Sequence, residues 1–146
     1  MRHFIYEFLW AVVWGAGLLI VGSCNPIATS HIEGNVPSPE TFSGFLERDL
    51  AKYFSDKGIG IASVKYEMLR EGATQTGIAY PKFYVWVWVT DKAGALQEGA
   101  VRLAAIDRNG FAVTDFFSRS SILSDPTSIE AVFPKPVCEK IREKLK

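Results

Sequence analysis

The chain has 146 residues, 48% of them hydrophobic, with Lys+Arg and Asp+Glu equal at 16 each. That length suits one domain plus a short extension. Residues 1–23 carry only Arg2 and Glu7, so the remainder stays balanced at 15 and 15. A neutral chain with no basic run lacks the electrostatic footprint of nucleic-acid binding, and that class of partner is set aside.

The N-terminus stands apart in composition. Phe4 to Gly22 is apolar except for Tyr6 and Glu7. A run of this length lies at the lower limit for spanning a bilayer, roughly 17–25 residues. Its uncharged part, Phe8 to Gly22, matches the apolar region of a signal peptide, with Arg2 as a weak positive flank. The run ends in Val21-Gly22-Ser23-Cys24, an aliphatic residue, two small ones and a cysteine.

This tetrapeptide, placed directly after an apolar stretch, resembles the lipobox of bacterial lipoproteins. The resemblance covers residues 1–24 only. It implies cleavage before Cys24 and lipid attachment at that cysteine. Gly22, Val21 and Glu7 depart from the commonest pattern, and the other reading is an uncleaved anchor with Cys24 at the membrane edge. Residues 1–23 are therefore a signal peptide or a membrane anchor. Both readings place the rest of the chain in the cell envelope, outside the cytoplasmic membrane. Asn25 is not the Asp associated with inner-membrane retention in enteric lipoproteins, so an outer-membrane position facing the periplasm is mildly preferred.

Residues 24–37 read as a tether, with prolines, a glycine and no periodicity. A domain is expected over 38–146. Ser38 is placed as an N-cap, Pro39 at the first helical position and Glu40 in the first turn. Phe42, Phe45, Leu46, Leu50, Tyr53 and Phe54 then recur at spacings of three and four, one apolar stripe of an amphipathic helix. Gly58 suits the position just beyond its end.

From Ile61 the period becomes two. Val64, Tyr66 and Met68 alternate with Lys65 and Glu67 in a first strand reaching about Arg70. Glu71 to Ala79 is a loop. Phe83 to Thr90 is the strongest strand, β-branched or aromatic throughout. A turn at Asp91–Gly94 leads to a third strand, Gly99 to Asp107. The Asp107–Gly110 hairpin turn leads to a fourth, Phe111 to Ser118. Asp125 and Pro126 open a short turn to about Val132, and a last helix follows Pro136 with Val137, Ile141 and Leu145 on one face. The order predicts an α+β fold: a four-stranded antiparallel meander with an N-terminal helix packed across it and a C-terminal helix. By analogy of layout alone this is cystatin-like or NTF2-like.

In the second strand Phe83, Val85, Val87 and Val89 share one face, and Tyr84, Trp86 and Trp88 share the other. A sheet open to water on one side alternates apolar with polar, and this strand does not. Either the C-terminal segment, through Phe133, Val137 and Ile141, covers the second face, or Tyr84, Trp86 and Trp88, with Phe116, form an aromatic patch or cavity that grips a partner protein or ligand.

Catalytic groups are few. The only histidines are His3 and His31, so the domain has no Ser–His or Cys–His pair and no histidine-based metal site. Glu67, Glu98, Asp107 and Asp115 show no pairing pattern, and Asp115 is expected to be partly buried and bonded by Arg102 or a neighbouring chain. The glycines of Glu71–Gly77 fit no phosphate-binding motif. Cys138 reads as a small apolar side chain of the last helix. Cationic excess at the C-terminus reads as a solvated face. No cofactor and no metal are expected. The functional expectation is a membrane-anchored envelope lipoprotein whose domain binds an envelope protein as a non-enzymatic accessory; the alternative is a small-ligand binder with an aromatic-lined pocket.

Overall fold

A computed structural model describes residues 33–146. After a single 3-10 turn at Glu33–Asn35 come α1 (Pro39–Asp56), β1 (Ile61–Met68), β2 (Lys82–Asp91), β3 (Leu96–Asp107), β4 (Gly110–Ser118), α2 (Arg119–Ser124) and α3 (Lys135–Lys144). The four strands form one antiparallel sheet in the order β1-β2-β3-β4, a meander. The α+β layout read from the sequence is the observed one. Among the described residues no helix is long and apolar enough to cross a membrane.

Helix α1 forms where its stripe of apolar residues predicts. Leu46, Leu50 and Phe54 are buried, and Phe42, Phe45 and Tyr53 pack at their margin. Its end is a Schellman motif. Gly58 takes φ 85°, its N–H donates to the Ser55 carbonyl, and the Ile59 N–H donates to Phe54. Ile59 then packs on the same core as Phe54, the apolar contact that accompanies this cap. At the other end Ser38 caps through its carbonyl, which accepts from Thr41 and Phe42, and its side chain makes no capping bond.

Two polar contacts fix α1 on the β3–β4 turn. Asp49 accepts from the Phe111 N–H at 2.7 Å, and Arg48 donates to the Asn109 carbonyl at 2.6 Å. Arg48 and Asp49 also pair with each other. Gly110 makes room for them, because a β-carbon there would stand 3.1 Å from the Asp49 carboxylate. The turn itself centres on Arg108-Asn109, with Asp107 accepting from the Asn109 N–H and Gly110 in fourth position, the residue preference of a type I turn.

The sheet separates two cores. On the α1 side lie Phe83, Val85, Val87 and Val89 with Val101, Leu103 and Phe111. On the other side Tyr84, Trp86 and Ala100 are covered by Ile122 of α2, Ile129 and Phe133 of the following turn, and Val137, Cys138 and Ile141 of α3. The molecule is therefore three layers deep. Helix α2 was not expected from the sequence; its Arg-Ser-Ser start carries no apolar period, and Ser118 caps it by accepting from the Ser121 N–H. The turn after it is as read, with Asp125 accepting from the N–H and hydroxyl of Thr127; these bonds hold the Asp125 carboxyl below its ordinary range.

Two boundaries move. Residues 33–37, read as tether, belong to the fold: Val36 packs on the first core, Pro37 is buried, and Arg108 donates to the Gly34 carbonyl at 2.7 Å. Strand β3 begins at Leu96, three residues before Gly99, because it continues pairing with β2 through Leu96↔Thr90. Strand β4 ends at Ser118, as read from the sequence, opposite Gly99 and so short of the start of β3. There the two backbones come so close that a β-carbon on Gly99 would lie 2.1 Å from the Phe117 carbonyl oxygen. Gly99→Ala is expected to lower unfolding free energy by about 3 kcal/mol, the upper range for overpacking. Urea denaturation measures it, and an unchanged midpoint would show that β4 ends without this close approach.

Candidate functional site

The four aromatic residues singled out in the sequence do not share a surface. Tyr84 and Trp86 are 4% and 1% exposed, closed beneath α2, α3 and the turn between them. Tyr84 also bonds its hydroxyl to that of Thr74, in the β1–β2 loop. Trp88 is half-buried at the rim of that core, with the Lys144 ammonium 5.5 Å from its ring centre. Phe116 faces the opposite way and meets Phe54 of α1 edge-on, ring centres 5.0 Å apart.

The misplacement of Phe116 has a local cause. Arg102 pairs with Asp115 but Leu103 with Val113, so Thr114 is an extra residue, a β-bulge. Uninterrupted alternation from Phe111 would send residue 116 to the Trp86 side. The bulge reverses the parity, and Phe111, Val113 and Phe116 all join the α1 core while Phe117 joins the other. Thr114 holds the bulge by donating its hydroxyl to the Arg102 carbonyl at 3.1 Å. No sequence period marks this, because Thr114 looks like an ordinary strand residue.

Arg102 and Asp115 form a 2.7 Å ion pair, the arrangement expected from sequence, and Arg102 also donates to the Val132 carbonyl. This pair joins β3 and β4 to the C-terminal layer. Lys82 lies beside it; burial first, then the Arg102 charge, pushes its ammonium down, with Asp115 acting the other way. Cys138 is 2% exposed, its thiol directed at the Phe133 carbonyl, and burial raises its pKa. Its surroundings are those of a packing residue. Cys24, the lipid-attachment residue implied by the lipobox, lies outside the described residues.

Besides a cleft of about 330 Å³ on the C-terminal layer, lined by Glu130, Phe133, Lys135 and Arg142, two surface features lie at the sheet's perimeter as places for a partner. The first is a notch where β3 outruns β4. On the α1 side of Gln97 a cleft of about 370 Å³ is lined by Tyr53, Phe54, Ile59 and Phe116, with Lys57 at its edge. On the α2 side a cleft of about 310 Å³ is lined by Leu96, Glu98, Arg119 and Leu123. Leu96 and Leu123 are 60% and 56% exposed, and Arg119 is held by Glu98 at 2.9 Å. Phe116 is thus the one singled-out aromatic that lines an open cleft, on the face opposite to the one anticipated. Signals for the notch were present in the sequence only as Leu96 and Leu123, which periodicity does not distinguish from core leucines.

The second is an open cleft of about 680 Å³ beside β1, between the start of α1 and the β1–β2 loop, lined by Val36, Phe42, Tyr66, Met68 and Phe83. Its lining is apolar, with the Ser43 and Tyr66 hydroxyls bonded to each other at 2.6 Å. Neither feature brings together groups for acid–base or nucleophilic work. Among the described residues no three His, Cys, Asp or Glu side chains are grouped to hold a metal ion. Comparison of the chain with protein-family models, with curated proteins and with solved structures finds no match in any of the three.

The burial pattern gives a direct contrast between the two tryptophans. Trp86→Ala is expected to cost about 3–5 kcal/mol of stability, the range for removing a fully buried ring. Trp88→Ala, with its ring only partly buried at the rim of that core, is expected to cost less. Denaturation of the two variants checks this, and equal small losses would mean that the C-terminal layer does not close over β2.

Proposed function

We propose that this protein is a membrane-anchored envelope lipoprotein whose α+β domain serves as a non-enzymatic, protein-binding accessory module. The observation that carries the reading is Val21-Gly22-Ser23-Cys24 placed directly after the apolar leader. With Cys24 lipidated, nine residues lie between it and Gly34, whose carbonyl is bonded into the domain by Arg108. At about 3.3–3.6 Å per residue such a stretch holds the domain within roughly 35 Å of its attachment point. A module held so close to a membrane meets partners that share it.

The notch around Gln97 is the surface we assign to the partner. It combines two exposed leucines with an aromatic-lined recess and Arg119, and aromatic residues and Arg are enriched at the centres of protein contacts. The small-ligand alternative has less support. The aromatic residues that would line its pocket, Tyr84 and Trp86, are packed against α2 and α3.

Intact-mass measurement of the membrane-extracted protein tests the anchoring. Loss of residues 1–23 with a gain of acyl mass is the expected result, and an unmodified full-length mass refutes lipidation. The partner role is tested with Leu96→Asp/Leu123→Asp in the full-length chain. Both side chains are more than half exposed, so thermal stability should be unchanged while co-purification of a stoichiometric envelope protein falls at least tenfold. Equal recovery by the variant and the parent chain would remove the notch from the interface.

A further inference from the structure

We infer that two copies of this chain associate through their β1 edges, antiparallel about a two-fold axis at Tyr66, to form one continuous eight-stranded sheet. This goes beyond the accessory role and does not depend on the leader being lipidated.

Among the described residues strand β1 is an edge of the sheet, paired with β2 alone. The Leu69 N–H donates to Tyr84, which fixes which residues bond β2. By alternation Lys65 and Glu67 share that orientation, opposite Trp88 and Trp86, and Val64, Tyr66 and Met68 turn their N–H and C=O groups outward. From Val64 to Met68 the register with β2 is unbroken and contains no proline. The irregularity of β1 lies further back, between Ile61 and Ser63. The other edge, β4, differs: its bulge at Thr114 interrupts the row of groups that a new strand would need.

The edge is complementary to itself in one register. With Tyr66 opposite Tyr66 of the partner subunit, Val64 meets Met68 of the partner subunit in hydrogen-bonded pairs, which their outward backbone groups require. Lys65 then stands directly opposite Glu67 of the partner subunit, and the two-fold axis repeats the pair. A shift that moves the axis to Lys65 or to Glu67 places like charges opposite each other, Lys65 on Lys65 or Glu67 on Glu67. Charge therefore sets the register. The Glu67 carboxylate is 54% exposed and accepts from Lys144 of its own chain, and Lys65 of the partner subunit would stand beside it as a second cation. On the α1 side the same register brings the two apolar clefts beside β1 together. Tyr66 and Met68, which line each cleft, then have apolar neighbours from the second copy instead of water.

The test uses the full-length chain in detergent, with molar mass read by light scattering and the variants' folding checked by circular dichroism and melting temperature. The parent chain is expected to be dimeric. Lys65→Glu places two pairs of like charges across the axis and should raise the dissociation constant at least tenfold, with an unchanged melting profile of the monomer. Lys65→Glu/Glu67→Lys exchanges the charges and should restore dimerisation. A mixture of Lys65→Cys and Glu67→Cys chains should give an intermolecular disulfide that Lys65→Cys alone does not, since opposed residues of a non-hydrogen-bonded pair lie about 4.5 Å apart at Cα. A monomeric parent chain, a dimer indifferent to Lys65→Glu, failure of the charge exchange to rescue, or capture of a different protein at this edge would each overturn the inference.

Discussion

The structure depends on one constraint: β2 has no face that tolerates water. Its residues from Phe83 to Val89 are apolar or aromatic on both sides, and all but Trp88 are buried. A strand of that composition at the middle of an antiparallel sheet requires a layer on each side. Helix α1 supplies one, through Leu46, Leu50 and Phe54. The chain after β4 supplies the other, and it does so with short pieces: one turn-and-a-half of helix, a turn capped by Asp125, and α3. Each piece contributes one to three side chains to the space over Trp86, and Ile122, Ile129, Phe133, Val137, Cys138 and Ile141 are all buried there.

Polar groups are arranged to register these layers. Asp49 and Arg48 reach the β3–β4 turn on the α1 side, and Arg102 and Asp115 hold the C-terminal layer through Val132. Arg119 joins β3 to the end of α3 by donating to Glu98 and to the Leu145 carbonyl. Among the described residues no buried side-chain polar atom lacks a hydrogen-bond partner. The carboxylates that a sequence reading would examine for acid–base roles, Glu98 and Asp115, are thus each committed to an arginine that spans two layers. Their chemistry is that of structural ties.

With both faces of the sheet closed, what remains for recognition is its perimeter. The two ends of that perimeter differ in kind. At β3 the backbone outruns β4 and leaves a notch with recesses on both faces, one aromatic and one bearing Arg119. At β1 the register from Val64 to Met68 is unbroken, with Lys65 and Glu67 on one side and an apolar cleft on the other. A notch of that shape suits a different molecule, whereas an edge whose charges match their own reversal suits a second copy. A protein with both could gather a partner while pairing with itself.

Much of the fold was legible in the sequence, since its determinants are local. The stripe from Phe42 to Phe54 specifies a helix, the alternation from Val64 to Met68 a half-buried strand, Gly58 a left-handed helix end, and the β-branched and aromatic run from Phe83 a central strand that must be covered twice. What covers it was one of two readings, and only tertiary packing chose between them: a buried Trp86 and an exposed one have the same neighbours in sequence. The bulge at Thr114 was decided at the same level, because an extra residue shows itself only against a partner strand, and Phe116 changed faces with it. The notch and, among the described residues, the β1 edge are likewise properties of where neighbouring strands stop. Sequence alone determined which segments fold and what they must hide; the assembled sheet decided which face each aromatic occupies and which backbone groups are left over, because pairing and register are relations between segments distant along the chain.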